Sequence, residues 1–524
     1  MESEVDLLVV GAGAAGMATA LAAALEGLEV VLCEKSSQVG GTTATSAGTV
    51  WIPPDTREAE TYLRHLMGDS MPRDKIAAYL ATGPAAIEYF ASRSEVKFVS
   101  AGRHPDYREL PGAAAAGRAF SPLPFDGRLL GDDFKRVRPP IPEFLVFGGM
   151  MVGKADIPRL VGRFRSAENF LYSARLFFRY ILDRVSYPRG TRLLMGNALV
   201  ARLLYSLRQA GVRLRFNDPV EEILRQGDRV VGARLKQVTI KARKGVVLAT
   251  GGLPQTVATH SLSFKGDTGD GVRLGTGIGA RIASGHRTGA FWAPVSVTRR
   301  RDGSEGLFPH LILDRAKPGL IAVNAAGRRF VNEACSYHDF AEAQLASKAI
   351  PAHLICDAAF VRKYGLGAIY PGTRDLASHE RSGYIVRAAS IEELAAKLPV
   401  DPTTLRQTIA RHNSFAASGV DADFGKGSAE LDRFNGDPDK LPNPCLGPIG
   451  QPPYCALAVW PADLGRSAGL ETDADGGVRG VPGLYACGSD MASIFMGTYP
   501  GPGTTLGPAL TFGYRIAMHA RDSS

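Results

Sequence analysis

The sequence lacks the cysteine spacings that hold a metal or a haem. Its six cysteines are scattered along 524 residues, and no two of them form a CxxC or a CxxCH segment. Zinc, iron–sulfur and haem sites depend on such spacings. The sequence therefore predicts no metal or haem of its own, and it predicts free thiols in a reducing compartment.

Long uncharged apolar runs are also missing. A membrane-spanning helix needs about 20 consecutive apolar residues, and no such run occurs. The segment Met1-Glu-Ser-Glu-Val-Asp6 is acidic, whereas a secretory signal begins with positive charge. Hydrophobic residues make up 45% and charged residues 22% of the chain, which is typical of a globular protein and excludes a disordered one. We expect a cytoplasmic protein of two or three domains.

Acidic residues are scarce in one segment, residues 159–215, which holds 12 arginines, no lysine and only Glu168 and Asp183 as acids. This segment accounts for the excess positive charge of the chain, whose formal net charge is +9. One interpretation is a basic amphipathic surface that contacts anionic lipid, which would make the protein membrane-associated. The other is a solvated helical face whose arginine stems cover the core. No base-stacking module accompanies the arginines, so we expect no nucleic-acid partner.

Glycine, by contrast, is abundant, with 60 residues, and the first cluster has a recognisable pattern. An apolar strand, Val5–Val10, precedes Gly11-x-Gly13-x-x-Gly16, a helix is predicted for residues 17–27, and a second strand ends at Glu34, 18 residues after the last glycine. In this order the glycines allow a tight turn, a close approach to a pyrophosphate and close helix packing, and the acid binds a ribose hydroxyl. The pattern predicts a dinucleotide site without deciding between NAD and FAD.

Three further segments favour FAD, because a nicotinamide enzyme needs only the Gly11–Gly16 fingerprint. They are the glycine and hydroxyl loop at 40–48, the strand and turn at 246–252, and Gly483-Leu-Tyr-Ala-Cys-Gly488-Ser-Asp490. The fingerprint, the Ala249-Thr250-Gly251-Gly252 turn and the late G-L-Y-A-x-G-x-D segment resemble the flavoproteins of the succinate dehydrogenase and fumarate reductase family. The segments 423–427, 442–448 and 496–513 are similar, nearly residue for residue, to the 3-ketosteroid Δ1-dehydrogenase branch.

The resemblance implies an α/β fold. It implies a Rossmann-like, glutathione-reductase-like FAD-binding domain formed by residues 1–284 and 451–524, with a helical insertion at about 55–210, and a smaller inserted α+β catalytic domain at 285–450. It also implies non-covalent FAD, because no histidine lies within residues 40–48, where the respiratory relatives attach their flavin. The residues expected to contact the cofactor are Gly11, Gly13, Ala14, Ala15, Gly16, Glu34, Lys35, Gly40, Gly41, Thr42, Thr43, Ser46, Ala47, Gly48, Val220, Ala249, Thr250, Gly251, Gly488, Asp490, Thr505 and Leu506.

The resemblance also implies a reaction, the introduction of a C1–C2 double bond into a 3-ketosteroid. In that family a tyrosine hydroxyl and a glycine N–H polarise the C3 carbonyl. The matching residues in this sequence are Tyr499 and Gly503. The base matches Tyr337, after the Arg329-Phe-Val-Asn332-Glu333 segment, and its helper matches Tyr107. His338 is an alternative base, although neighbours in sequence usually point apart. The expected partners are a 3-ketosteroid substrate and an external electron acceptor, for which a quinone is plausible.

Other functions compete with this one. A 3-keto-5α-steroid Δ4-dehydrogenase shares the fold and the flavin, but its matching tail normally carries a serine near the tyrosine. A fumarate-type reductase needs Arg and His clamps for two carboxylates, which we cannot assign. A non-enzymatic, membrane-peripheral flavin-fold protein is the third alternative. One departure from the family is Arg466, which replaces a small residue near the expected flavin pocket, and the sequence leaves open whether it changes the substrate range.

Overall fold

The structure is a computed structural model that describes residues 2–300, 302–398 and 400–523. Met1 and Ser524, the outer limits of the predicted FAD-binding domain, lie outside the described residues. The strands are β1 Glu2–Val10, β2 Val30–Glu34, β3 Val50–Trp51, β4 Phe98–Ser100, β5 Ala119–Pro122, β6 Phe125–Asp126, β7 Leu145–Val146, β8 Met150–Met151, β9 Arg192–Leu193, β10 Arg213–Phe216, β11 Val220–Gln226, β12 Arg229–Leu235, β13 Thr239–Leu248, β14 His260–Ser261, β15 Ala290–Arg299, β16 Glu305–Pro309, β17 Ile321–Val323, β18 Ala352–Asp357, β19 Val386–Ala388, β20 Tyr454–Arg466 and β21 Leu484–Ala486.

The helices are α1 Ala14–Leu25, α2 Thr56–Met67, α3 Arg73–Arg93, α4 Ile157–Val161, α5 Ala167–Ser186, α6 Met195–Gln209, α7 Asp270–Gly277, α8 Tyr337–Ser347, α9 Ala358–Tyr364, α10 Ala377–Arg381, α11 Ile391–Lys397, α12 Pro402–Ser418, α13 Glu430–Asn435 and α14 Leu506–Asp522. Short 3-10 helices occupy Gly41–Thr45, Gly68–Ser70, Gly127–Arg136, Pro142–Phe144 and Gly488–Asp490. Within the described ranges, no helix is long and apolar enough to cross a membrane.

The first sheet has the order β10-β2-β1-β13-β12-β11, with β21 also paired to β13. Strands β10, β2, β1, β13 and β21 run parallel, and apolar residues of β1 and β13 are buried, as expected for a sheet covered on both faces. Val10 pairs with Leu248, and Leu248 pairs with Ala486. The segments that follow these three strands therefore meet at the carboxyl edge of the sheet, where ligands bind in folds of this kind.

The second sheet has the order β16-β15-β20-β18-β17, and β14 and β19 also pair with β20. Its central strand, β20, has 13 residues and pairs with segments from four other parts of the chain. Most of these pairs are antiparallel, which is typical of an α+β unit. The mixed α/β fold class predicted from the sequence is confirmed, whereas the predicted division into domains at residues 284 and 450 stays a prediction.

The segment between β2 and β10 forms most of the helical insertion, with α2, α3, α5 and α6 as its main helices. Helix α6 is buried along most of its length, as its many apolar residues require. Helix α5 differs, because Asp183 is its one buried residue. Its apolar side chains therefore lie on the surface, and the interpretation in which the arginines of this helix cover a core does not fit α5.

Local predictions near the nucleotide fingerprint are confirmed. Strands β1 and β2 and the turn between them occur as expected, although α1 begins at Ala14 rather than at residue 17. Helix α14 begins at Leu506, with Thr505 as its N-cap. The difference at α1 arises because small residues directly after Gly13 already adopt helical geometry, whereas periodicity detects only the apolar part of a helix.

Candidate active site

The glycine turn after β1 is shaped by backbone contacts. Gly11 has φ of 101°, and a Cβ atom there would lie 2.3 Å from the carbonyl oxygen of Ala249. A Cβ atom on Gly16 would lie 1.9 Å from the oxygen of Gly11, so Gly16 serves the packing of α1. A Cβ atom on Gly13 would meet nothing within 4 Å. The space in front of Gly13 is therefore open to a ligand.

Two helix N-termini face this region without side-chain caps. Gly13 caps α1 and Thr505 caps α14, and neither makes a side-chain cap hydrogen bond. The first N–H groups of a helix lack intrahelical acceptors and carry partial positive charge, so they bind phosphate or developing negative charge. This arrangement suits a pyrophosphate at α1 and an electron-rich ring edge at α14.

Glu34, at the end of β2, is held beside the glycine turn. Its carboxylate accepts hydrogen bonds from the N–H of Ala12 and of Ser36, each at 2.9 Å. Lys35 forms an ion pair with Asp270 at 2.5 Å. The hydroxyl loop lies in the 3-10 helix Gly41–Thr45, and the Thr42 hydroxyl donates to Asp267 at 2.8 Å.

Asp490, one of the residues expected to contact the cofactor, is held by hydrogen bonds within the protein. Its carboxylate is fully buried and accepts hydrogen bonds from the N–H and the hydroxyl of Thr250, at 2.5 and 3.0 Å, and from the N–H of Gly252 at 3.0 Å. Burial raises the pKa of this carboxyl group. Asp490 therefore fastens the turn after β13 to the segment after β21, and it does not line the cavity.

One cavity of about 2090 Å³ joins the glycine turn to the three tyrosines. Drug-sized ligands occupy pockets of roughly 300–1,000 Å³, so the cavity has room for a dinucleotide and a substrate. The predicted residues that line it are Gly11, Gly13, Ala14, Ala15, Glu34, Lys35, Gly41, Thr42, Thr43, Ser46, Ala47, Gly48, Tyr107, Val220, Ala249, Thr250, Gly251, Tyr337, Gly488, Tyr499, Gly503, Thr505 and Leu506. Gly16, Gly40 and Asp490 lie behind this wall, where Gly40 packs against Ala44 and Val200. The open space at Gly13, the two uncapped helix ends and Glu34 fit FAD.

The three tyrosines come together from distant parts of the chain. The hydroxyl oxygens of Tyr337 and Tyr499 are 3.0 Å apart. The ring of Tyr107 stacks on that of Tyr499, with centroids 5.6 Å apart and an angle of 10° between the planes, and it meets the ring of Tyr337 edge-on at 5.4 Å. All three are buried and belong to an apolar cluster with Phe291 and Leu431.

The backbone positions each tyrosine. Tyr337 begins α8, which is capped by Ser336, and the N–H of Tyr107 donates to the carbonyl of Pro500 at 2.9 Å. Gly503 has φ of 100°, and a Cβ atom there would lie 2.5 Å from the oxygen of Thr49. Only glycine fits this position without strain.

Ion pairs of the Arg329–Glu333 segment fix the part of the chain that precedes Tyr337. Arg329 pairs with Glu333 at 2.8 Å and with Asp421 at 2.7 Å, and all three side chains are almost fully buried. Buried charges are tolerated only when they are paired in this way. Lys426 and Arg329 lower the pKa of Glu333 to about 2 against the effect of its burial.

Burial keeps the tyrosines protonated. It raises the pKa of Tyr337, Tyr499 and Tyr107 above the ordinary value of a phenol. The hydrogen bond with Tyr499 and the positive charge of Arg315 act in the opposite direction on the pKa of Tyr337. Arg315 also donates to the carbonyl oxygens of Glu333 and Cys335, at 2.7 and 3.2 Å, so it positions the segment just before Tyr337.

Two residues singled out in the sequence take structural places. The Nδ1 of His338 accepts from the N–H of Trp292 at 3.1 Å, and its Nε2 lies 3.2 Å from the carbonyl of Gly497. The ring is therefore fixed by the backbone and does not act as a free base. Arg466 is buried behind the turn after β13, where it pairs with Asp463 and donates to the carbonyl of Leu253. It does not line the cavity.

Sequence reasoning missed Asp267. This carboxyl group lines the cavity between the Thr42 hydroxyl and Gly251, and burial raises its pKa to about 7. The run Gly266-Asp-Thr-Gly-Asp-Gly271 before α7 is the pattern that indicates it, because glycine and aspartate in alternation are typical of a backbone that approaches a ligand.

The six cysteines carry free thiols, as predicted. In the part of the chain that the structure describes, no group of three His, Cys, Asp or Glu side chains is arranged to hold a metal ion.

Comparison with known proteins identifies the family. The FAD binding domain family matches residues 6–506. The chain is 39% identical to the 4-oxocyclohex-2-ene-1-carboxylate 5-dehydrogenase of Sinomonas cyclohexanicum, over 97% of this chain and 92% of that protein. It is 35% identical to the 3-oxosteroid 1-dehydrogenase of Mycolicibacterium smegmatis, over 98% of this chain and 97% of that protein.

A solved structure is similar over the whole chain. The 3-ketosteroid Δ1-dehydrogenase of Sterolibacterium denitrificans, in complex with 1,4-androstadiene-3,17-dione, has a TM-score of 0.90 and 34% identity, with 100% of both chains covered. These findings confirm the resemblance stated from the sequence motifs. The chain belongs to the FAD-binding flavoprotein family that contains the 3-oxosteroid 1-dehydrogenases, and it is an FAD-dependent oxidoreductase.

Proposed function

We propose that this enzyme dehydrogenates the A ring of a 3-ketosteroid and forms a double bond between C1 and C2. The observation that carries the proposal is the contact of the Tyr337 and Tyr499 hydroxyls at 3.0 Å, in the cavity that also holds the glycine turn. A carbonyl clamp and a base thus lie beside the cofactor space. The names of the relatives support the proposal, since they describe dehydrogenation of a ring that carries a ketone.

The clamp consists of the Tyr499 hydroxyl and the Gly503 N–H. Both groups line the cavity, and within the described residues no acceptor takes a hydrogen bond from the Gly503 N–H. Together they donate to the C3 oxygen of the substrate. Withdrawal of electron density by two donors makes the C2 hydrogen more acidic and stabilises the negative charge that develops on the oxygen.

Tyr337 is the base in this proposal. In the enzyme fraction whose Tyr337 is a phenolate, the C2–H bond breaks, its proton goes to the phenolate oxygen of Tyr337, and its electron pair forms the C1=C2 bond as the C1–H bond breaks. FAD, when bound, accepts the hydride from C1. Tyr107 stacks on the clamp tyrosine and contacts Tyr337, so it keeps both hydroxyls in line and excludes water.

The cofactor site and the domain roles belong to the same proposal. FAD binds non-covalently along the predicted residues that line the cavity, with its pyrophosphate at α1 and its ring system at α14. Residues 1–284 and 451–524 form the FAD-binding domain, and residues 285–450 form the catalytic domain. The electrons leave to an external acceptor, and a quinone is the class we favour because the substrate is itself lipophilic.

An anaerobic experiment tests the reaction. Purified enzyme with FAD is mixed with androst-4-ene-3,17-dione, the visible flavin absorbance is followed, and the steroid is analysed. We expect loss of the flavin band and a 1,4-diene product. A 4-ene product from a 5α-saturated ketosteroid, with no reaction at C1, would favour the Δ4-dehydrogenase alternative. Oxidation of reduced dye by fumarate would favour the reductase, and a flavin that no ketosteroid reduces would favour the non-enzymatic alternative.

We further propose that α4, α5 and the loop between them contact an anionic membrane. Large apolar side chains are exposed here, including Phe164 at 79%, Leu182 at 71% and Val185 at 81%. In the described part of the chain, Arg163 and Arg175 of the same surface pair with no acid. Apolar side chains flanked by arginines are typical of a helix that lies in the interface of an anionic bilayer.

The position of this surface supports its role. Phe164, Phe170 and Phe178 also line the cavity, so the surface proposed to contact the bilayer continues into the space that holds the tyrosines.

Vesicle sedimentation of the FAD-loaded enzyme tests the contact. We expect binding to vesicles that contain phosphatidylglycerol and weaker binding to phosphatidylcholine alone or at high salt. The double variant Leu182→Ser and Val185→Ser loses binding, whereas Leu441→Ser, which removes a leucine 78% exposed elsewhere, keeps it. Equal binding by both variants would contradict the proposal.

A further inference from the structure

A group of cationic and protonatable side chains lines the cavity beyond Tyr107. It consists of His104, Lys154 and Lys317. The Nζ of Lys154 lies 4.7 Å from the centroid of the Phe434 ring, and the same ring lies 5.2 Å from the ring of His104. Lys154 and His104 thus share Phe434 as an apolar wall, and Lys317 lines the same cavity.

This positive charge is not neutralised within the chain. No acid in the described ranges forms an ion pair with Lys154, and its surroundings lower its pKa by desolvation. The Nδ1 of His104 is buried and makes no hydrogen bond to described residues, and burial together with Lys154 lowers its pKa to about 4. Lys317 donates to the carbonyl of Gly436 at 2.7 Å, and Asp437 is the nearby acid that offsets its charge in part.

The acids that line the same part of the cavity are already engaged. Asp156 pairs with Arg192 at 2.9 Å, and Glu143 pairs with Arg300 at 2.8 Å. Asp314 contacts His310 at 2.6 Å. Among the other cations of the wall, Arg103 pairs with Glu430 and Lys363 pairs with Asp437. Lys154, which is exposed toward the cavity, is therefore left with an aromatic face and no counter-ion, and it attracts an anionic group that enters the cavity.

The space is connected to the clamp by a series of ring contacts. The ring of His104 lies 6.4 Å from that of Tyr107, which in turn stacks on Tyr499. A substrate whose ketone sits at Tyr499 and Gly503 thus extends past Tyr107 toward Lys154.

We infer that Lys154, assisted by His104 and Lys317, binds a carboxylate carried by the substrate at a distance from the reacting ketone. The substrate class is then a cyclic ketone that bears a carboxylate, either a steroid with an acidic side chain or a smaller keto acid. This inference rests on the proposed function for the position of the ketone. It adds a specificity-determining contact that the dehydrogenation chemistry itself does not require.

The test compares an acid with its own methyl ester. The enzyme is assayed anaerobically, with an excess of an electron-accepting dye that reoxidises the flavin, on 3-oxochol-4-en-24-oic acid, its methyl ester, 4-oxocyclohexane carboxylate and its methyl ester. For at least one pair we expect wild-type kcat/KM to favour the acid by tenfold or more. The pair that shows the preference identifies the source of the carboxylate, because the side-chain acid and the ring acid differ in their distance from the ketone.

Variants locate the contact. In Lys154→Met the acid-to-ester ratio falls at least tenfold, mainly through KM, and Lys154→Arg restores most of it. Arg103→Met is the matched control, because it removes one positive charge from the same wall at a residue that is already paired with Glu430. Its ratio stays within threefold of the wild-type value.

Each outcome decides the question. If the wild type prefers neither acid over its ester, the carboxylate contact is absent and the inference is overturned. If the acid-to-ester ratio falls equally in Lys154→Met and Arg103→Met, the preference comes from the overall positive charge of the cavity wall, and the inference is also overturned. Turnover of the neutral steroid without an acid preference leaves the proposed function in place and removes the inference alone. Turnover of the smaller keto acid with no steroid oxidised removes the steroid assignment and keeps the inference.

Discussion

At the scale of single residues, burial suits Tyr499 to the role of hydrogen-bond donor that the proposed function gives it. Its pKa is raised by burial, so its hydroxyl stays protonated and can donate to a ketone over the whole neutral range. We expect Tyr499→Phe to lower kcat by about 10²–10³-fold, the loss found when one donor to a developing oxyanion is removed. Stopped-flow measurement of anaerobic flavin reduction checks this.

The control for Tyr499→Phe is Tyr384→Phe. Tyr384 is also a buried tyrosine, and its hydroxyl contacts Ser296 at 2.7 Å in the second sheet. Its loss costs about 1 kcal/mol of stability and leaves the reduction rate within a few-fold. A similar fall in rate for both variants would mean that the effect of Tyr499→Phe comes from the protein core rather than from the clamp.

Tyr337 has the opposite requirement, because a base must be deprotonated. Its pKa is raised above the ordinary value of about 10 for a phenol. The phenolate fraction therefore increases about tenfold for each pH unit through the neutral and alkaline range, and kcat/KM increases with it. We expect log(kcat/KM) to rise with pH without a plateau below pH of about 10.

The pH profile also distinguishes the base from its neighbours. Tyr337→Phe is expected to lose about 10²–10⁴-fold in rate and to lose the rising limb. Tyr107→Phe loses activity but keeps the limb, since its hydroxyl does not take the proton. A plateau near neutral pH in the wild type would contradict a tyrosine base with a raised pKa.

The sequence predicted the tyrosines because each lies in a short motif, and motifs are local. It did not indicate that the carboxylate of Asp490, which stays a predicted cofactor contact, fastens the turn at Thr250. It also missed the isolated charge of Lys154. Which side chains stay unpaired depends on every neighbour that the fold brings in, and no local pattern contains that information.

At the scale of elements, the β1–α1 turn contains two glycines with different functions. Gly13→Ala places a methyl group in the open space where a phosphate is expected, so the variant should fold like wild type and bind FAD more weakly. Gly11→Ala places it against the Ala249 carbonyl at 2.3 Å, with φ of 101°. Strain of this kind costs about 1–3 kcal/mol, so we expect a lower melting temperature.

Two measurements separate these effects. Melting of the FAD-free variants reports on the turn alone, and fluorescence titration with FAD reports on the ligand. If Gly13→Ala destabilises the FAD-free protein as much as Gly11→Ala does, then the open space at Gly13 does not exist in solution.

Elements with local signals were predictable, and those with distant partners were not. Strand β1 includes the predicted strand Val5–Val10, because its apolar run and the glycine turn that follows it are both nearby in sequence. Strand β20 lies at the centre of the second sheet, yet its partners come from residues 260–388. Such pairing is decided by long-range packing. The sequence could therefore indicate that this region contains both helices and strands, but it could not indicate the order of the strands in the sheet.

At the scale of the whole molecule, the two sheets enclose one cavity rather than two sites. Its lining includes the glycine turns that follow the first sheet, Tyr337 at the start of α8, and Tyr499 and Gly503 in the loop before α14, which the proposed function assigns to cofactor, base and clamp. A dinucleotide that fills this space contacts most parts of the fold at once. Cofactor binding and overall stability are therefore expected to be coupled.

Removal of FAD tests that coupling. A ligand that binds only the folded state stabilises it by about 2.7 kcal/mol when its concentration is 100 times Kd, so the melting temperature should rise steadily with the logarithm of FAD concentration. Gly13→Ala should show the same slope displaced to higher FAD, because its affinity is lower and its fold is unchanged. The measurement is thermal unfolding of stripped enzyme at a series of FAD concentrations. The glycine turn and the tyrosine cluster share one cavity of about 2090 Å³, so a ligand that fills it should stabilise both. A melting temperature that does not respond to FAD would contradict this coupling between cofactor binding and stability.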